Sequence, residues 1–122
     1  MAIRIHVEGV QETITQLAQS AEKIQQGIAK GVAEGGKIVE ANAKSLCPVS
    51  TEETRPGGPH GELRASILSE ASGNTAVIGT NKEYAIYVEF GTYKMAAQPY
   101  MVPALKSSTD AVIAAIAAAV GV

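Results

Sequence analysis

The chain has 122 residues, 46% of them hydrophobic, and its 12 acidic and 10 basic side chains give a formal net charge of −2. This length predicts one domain spanning residues 1–122, and the hydrophobic content excludes general disorder. The slight acidic excess argues against a protein whose main task is to bind nucleic acid, because such proteins carry a basic excess or a basic patch.

A strand and a long helix are predicted in the first 46 residues. Residues 3–8 alternate apolar and polar side chains, which is typical of a half-buried strand. A helical pattern then runs to Leu46, with Thr13 and Gln16 as a possible capping box near its start. Gly31 and Gly35 lie in the apolar stripe of this helix. They predict either close approach of another backbone or a kink, and the sequence does not decide between the two.

A loop and a hairpin are predicted next. Residues 48–61 hold three prolines and three glycines without apolar periodicity, which predicts a mobile loop. Alternating apolar residues on both sides of Ser72–Asn74 predict an antiparallel hairpin with strands at about 62–70 and 75–80.

The last third of the chain contains one ambiguous element and one helix. Residues 82–90 alternate like a strand but also fit a short helix capped by Thr80 or Asn81. Pro103 suits the first turn of a final helix. The apolar run 111–122 is shorter than the roughly 20 residues that a membrane-spanning helix needs, so we expect no membrane contact.

No side chains with clear catalytic or metal-binding spacing occur in the sequence. Cys47, the single cysteine, excludes an internal disulfide, favours a reducing compartment and is expected to be a small buried hydrophobe. His6 lies on the predicted strand and His60 in the glycine-rich loop, so neither has a metal-ligand partner at the usual spacing. A cluster of Cys47, His60 and Glu62 would lack a rigid support. We therefore expect a protein that is not an enzyme and that uses no cofactor.

The segment from Tyr84 to Pro103 stands out because it concentrates the aromatic residues and methionines of an aromatic-poor chain. Such residues predict either a corner of the core or a protein–protein interface, and one segment can serve both purposes. Glu89 lies between Val88 and Phe90, so its carboxylate is either half-buried and paired or directed at a partner. The candidate interface residues are Tyr84, Tyr87, Glu89, Phe90, Gly91, Thr92, Tyr93, Lys94, Met95, Pro99, Tyr100 and Pro103.

Several motifs occur in a characteristic order: Gly61–Ile67, Val77–Gly79, Tyr84–Thr92, Ala97–Tyr100 and Pro103–Leu105. In this order the chain resembles the tail-completion or head–tail joining family of long-tailed bacteriophages. One departure is the loop 48–61, which is longer than is usual in the family and carries a Pro-Gly-Gly-Pro insertion.

The resemblance implies an α+β fold in which a long N-terminal helix and a C-terminal helix pack on a small antiparallel sheet, with a short helix in the 82–90 region. It implies a non-catalytic protein of the virion tail or neck, assembled in the cytoplasm of the bacterial host. Its copies would form a ring, a hexamer, that contacts the tail tube protein and the head connector protein, while DNA only passes through. The alternatives are another neck or minor tail component, a small nucleic-acid-binding module, and a small enzyme that uses Cys47 or His60.

Overall fold

The computed structural model describes residues 1–7 and 21–121 of the chain. These residues contain three short strands and four helices, joined by loops. The strands are β1 (Ala2–His6), β2 (Leu68–Ser72) and β3 (Thr75–Gly79). The helices are α1 (Ala21–Leu46), α2 (Glu62–Ser66), α3 (Ala85–Phe90) and α4 (Met101–Val120). This α+β architecture confirms the predicted fold class. The predicted capping box of Thr13 and Gln16 lies outside the described residues.

The strands form one antiparallel sheet in the order β1-β3-β2. Ile3 pairs with Ile78 and Ile5 with Ala76, so the apolar residues of β1 and β3 share the face that packs on α1. Arg4 and His6 are exposed, as the alternating pattern predicts. A two-residue turn with Gly73 at φ 57° joins β2 to β3, which is the tight hairpin connection expected of a Gly-Asn pair.

The first predicted strand of the hairpin is wrong over residues 62–66, which form α2. Gly61 turns the chain at φ 81°, and its carbonyl accepts the Ala65 N–H at 2.9 Å. Leu63 and Ile67 are buried while Ala65 is exposed. Because the buried pair is four residues apart, it fits one helical turn as well as it fits strand alternation, and the pattern alone misled the prediction.

Helix α3 resolves the ambiguity of residues 82–90 in favour of a helix. Neither Thr80 nor Asn81 caps it: Tyr84 occupies the N-cap position and provides no side-chain hydrogen bond. The Thr80 hydroxyl instead accepts the Lys82 N–H at 3.1 Å, within the connection that leads to the helix.

Helices α1 and α4 pack along each other at very short range through the glycines of α1. A Cβ atom added at Gly31 would lie 2.6 Å from the Cα of Ile116, and one added at Gly35 would lie 2.8 Å from Cγ1 of Val112. Real Cβ atoms do not approach other atoms so closely, so the glycines are what allow α4 to lie in this position. The close-approach interpretation of Gly31 and Gly35 is confirmed.

Helix α4 contradicts the argument that its apolar run is too short for a membrane. The helix extends over 20 residues, and by length and composition it could cross a bilayer. However, Ala104, Ser108 and Val112 are buried in the described structure, and Asn42 of α1 donates a hydrogen bond to the Ser108 hydroxyl at 2.6 Å. One face of α4 therefore packs inside the described structure, and 22% of its most apolar 18-residue stretch is buried.

Candidate interaction surface

The carboxylate of Glu89 joins the end of α3 to the start of α4. Its Oε1 atom accepts the backbone N–H groups of Tyr100 at 3.1 Å and of Met101 at 2.8 Å, and its Oε2 atom accepts that of Val102 at 3.3 Å. The first N–H groups of a helix have no partner within the helix, and its N-terminus attracts negative charge. Glu89 therefore acts as the cap of a helix that begins 12 residues later in the sequence. Only 2% of this residue is exposed.

The connection between α3 and α4 is held closed by backbone hydrogen bonds. The Gly91 N–H donates to the Tyr87 carbonyl at 2.7 Å, and the Gln98 N–H donates to the Val88 carbonyl at 2.8 Å. Gly91 has φ 77°, and a Cβ there would lie 2.7 Å from the backbone nitrogen of Ala97. Only glycine fits this position, because both the dihedral angle and the lack of space exclude a side chain.

Tyr100 fixes the same corner from the inside. Its side chain is fully buried, and its hydroxyl donates to the Ala85 carbonyl at 3.4 Å. Burial, together with the nearby Cys47 and Glu89, raises the pKa of Tyr100 to about 12. Tyr100 and Glu89 thus hold the corner in shape from within the chain, and in this conformation neither can present its side chain to a partner.

Most of the other candidate residues lie on the outside of this corner. Six of the ten large hydrophobic residues that are exposed in the described structure fall between residues 84 and 102. Tyr93 is 94% exposed and Phe90 65%. Five of them form what we call the aromatic surface: Ile86, Tyr87, Phe90, Tyr93 and Val102.

The members of the aromatic surface are brought together by α3 and by the first turn of α4. Ile86, Tyr87 and Phe90 are spaced three and four residues apart, so they share the helix face opposite the buried Ala85. Phe90 also lines a groove whose other wall is Val102. Sequence reasoning missed Ile86 and Val102. The helical spacing of residues 86–90 would have suggested Ile86 once a helix was assumed, whereas only the folded structure brings Val102 of α4 to Phe90.

The remaining candidate residues occupy the rim. Thr92, Lys94 and Pro99 are exposed, Met95 and Pro103 are half-buried, and Tyr84 is 38% exposed on another side of α3. Thr92 and Met95 close a small turn through the Thr92 N–H, which donates to the Met95 carbonyl at 2.8 Å. The Lys94 ammonium lies 5.5 Å from the centre of the Tyr93 ring.

Cys47 and His60, the residues considered for catalysis, lie in different surroundings. Cys47 is buried, and this burial raises the pKa of its thiol despite the charge of Arg64. His60 bonds to Ser50 at 2.8 Å and to Glu52 at 2.9 Å, contacts that the sequence did not suggest. In the described residues, no three His, Cys, Asp or Glu side chains are grouped as metal ligands.

A family model described as "Bacteriophage HK97-gp10, putative tail-component" matches residues 10–91, about two thirds of the chain. The chain belongs to the HK97-gp10-like family. No curated protein and no solved structure matches it significantly.

Membership of the HK97-gp10-like family makes this chain a structural protein of a bacteriophage tail. The matched range ends at Gly91, so it includes α3 and Glu89. The three N–H groups that Glu89 binds lie beyond that range, in the segment that completes the corner.

Proposed function

We propose that copies of this chain form a ring, a hexamer, that completes the phage tail and joins it to the head. The observation that carries the proposal is the aromatic surface. A protein in water gains stability by burying such residues, and Tyr and Phe are enriched at protein–protein contacts. A tail component that exposes them at a rigid corner is suited to contact other subunits.

The rigidity of the corner supports an assembly role. Glu89, Gly91 and Tyr100 hold the backbone behind the aromatic surface through buried hydrogen bonds. A surface that is already ordered loses little conformational entropy when it binds. The partners we propose are therefore a second copy of the chain, the tail tube protein and the head connector protein. No membrane takes part.

DNA would pass through the opening of the ring without being read. The formal net charge of −2 suits a wall that does not hold the passing phosphates. Assembly would take place in the cytoplasm of the bacterial host, and the finished ring would stay in the virion. We propose no catalytic step and no cofactor.

The decisive experiment compares a phage lacking the gene with phages that carry surface variants. We expect the phage lacking the gene to produce separate heads and tails. The variant Tyr87→Ser/Phe90→Ser should give the same defect, and rings should be absent from electron micrographs of the purified variant. Ile113→Ser is the matched control, because Ile113 is 59% exposed but lies on α4, outside the aromatic surface. Normal infectious particles without the gene would refute the proposal.

Another neck or minor tail component is the nearest competing role. It predicts joined heads and tails that are defective in a later step, so counting unjoined tails separates the two roles. A nucleic-acid-binding module would instead show DNA affinity that falls steeply with salt concentration.

A further inference from the structure

We infer that neighbouring copies contact each other head to tail, with the aromatic surface of one copy against the loop that follows α1 in the next. This inference rests on the proposed ring and specifies which surfaces form it.

Within residues 84–107, the segment that carries the aromatic surface, the exposed charged residues are both positive, and the exposed Glu83 lies just before this segment. From residue 84 to residue 107 the charged residues are Glu89, Lys94 and Lys106. Glu89 is buried and its carboxylate is occupied by backbone N–H groups, whereas Lys94 and Lys106 are exposed. Lys106 lines the same groove as Phe90 and Val102. A partner for this surface must therefore offer apolar side chains next to carboxylates.

A surface of that composition occurs elsewhere on the same chain. From residue 45 to residue 55 the charged residues are Glu52, Glu53 and Arg55, all of them exposed. Arg55 lies 3.9 Å from the carboxylate of Glu62, which offsets its charge, so Glu52 and Glu53 set the sign of the loop. Leu46 and Val49, beside them in the sequence, are 46% and 38% exposed. We call Leu46, Val49, Glu52 and Glu53 the acidic loop surface.

The loop holds its acidic residues in a defined arrangement. Glu52 accepts the Gly57 N–H at 3.0 Å and bonds to His60 at 2.9 Å. These hydrogen bonds lower the pKa of Glu52, with the Gly57 N–H as the larger cause, so this carboxylate is charged at neutral pH. Its side chain remains 73% exposed and can still face a lysine of another copy.

The two surfaces lie on opposite flanks of α3. Val49 lines a cleft together with Tyr84 and Val88 of α3. The groove that contains Val102 and Lys106 meets α3 at Phe90 and Glu89. On a helical wheel these two pairs of α3 residues point in roughly opposite directions. Surfaces that face apart cannot pair with each other twice in one dimer, so their contact propagates from copy to copy. Such a head-to-tail contact is the kind that a closed ring of more than two copies needs.

Charge reversal tests this inference. The variant Glu52→Lys/Glu53→Lys makes the loop positive, and Lys94→Glu/Lys106→Glu makes the border of the aromatic surface negative. Each variant alone places like charges across the contact, so we expect loss of the ring in native mass spectrometry. Mixing the two variants restores opposite charges at every contact, so we expect rings in which the variants alternate.

Two controls keep the interpretation clear. His60→Gln loosens the loop but keeps both carboxylates, and we expect its rings to persist. Lys23→Glu/Lys30→Glu changes two exposed lysines of α1 and should also leave the ring intact.

The outcomes separate this inference from the proposed function. If the wild-type chain forms rings that both charge-reversed variants also form, or if mixing restores nothing, the head-to-tail contact is refuted while the ring survives. If the wild-type chain forms no ring even on tails, the proposed function fails instead.

Discussion

Replacing Glu89 tests how strongly the corner between α3 and α4 depends on one carboxylate. In Glu89→Ala the N–H groups of Tyr100 and Met101 lose their acceptor, and both residues are fully buried, so water cannot replace it. Each unpaired buried group costs about 1–3 kcal/mol. The Val102 N–H lies nearer the surface and loses less. We therefore expect the free energy of unfolding to fall by about 3–5 kcal/mol.

The conservative variant Glu89→Gln separates the charge from the shape of the side chain. Its carbonyl can still accept from Tyr100 and Met101, but its amide group cannot accept the Val102 N–H, and the favourable charge at the start of α4 is lost. Hydrogen bonds to charged acceptors are worth about 1.5–3 kcal/mol, so we expect a loss of about 2 kcal/mol.

Urea unfolding followed by far-ultraviolet circular dichroism measures both variants. Glu83→Ala is the matched control, because Glu83 is an exposed glutamate just before α3 and should change stability by less than about 0.5 kcal/mol. If Glu89→Ala unfolds at the same urea concentration as this control, the carboxylate does not hold the corner and the reasoning is wrong.

Three further predictions concern the interior. The pKa of Tyr100 is raised to about 12 from 10.0, so its hydroxyl ionises at a lower pH in the unfolded chain than in the folded one. Between these two values the free energy of unfolding therefore falls by about 1.4 kcal/mol for each pH unit of increase. In urea unfolding at alkaline pH, the Tyr100→Phe variant should lack this part of the fall in the free energy of unfolding. A fall identical to that of the wild-type chain would contradict the prediction. The buried Cys47 should react with a thiol reagent only on unfolding, whereas a cysteine introduced by Ser45→Cys reacts at once in native buffer. Gly31→Ala should lower the free energy of unfolding by about 1–3 kcal/mol, because the added Cβ would collide with α4. This loss is expected even though alanine favours helices more than glycine does. Ala41→Gly, on the exposed side of α1, should cost only about 1 kcal/mol; a stabilised Gly31→Ala would refute the tight packing.

The sequence by itself determined the elements whose periodicity is long or unambiguous. The alternation in residues 3–7 predicted β1, and the recurring apolar stripe predicted α1 as far as Leu46. Both patterns reflect one buried face of a regular element, which the chain must show whatever packs against it. The motif order likewise led to the phage tail family without any structure.

Only the tertiary structure decided the role of Glu89. From the sequence its carboxylate could equally face a partner, because nothing in residues 82–90 indicates where the start of α4 lies. The folded chain brings the N–H groups of residues 100–102 to this carboxylate and so makes it an internal cap.

The same limit applies to Gly31 and to residues 62–66. A glycine in a helix pattern is compatible with a kink or with close packing, and the position of Ile116 settles it. Leu63 and Ile67 satisfy two periods at once, and the turn at Gly61 selects the helix. Short patterns leave such choices open because contacts between distant residues supply the energy that decides them.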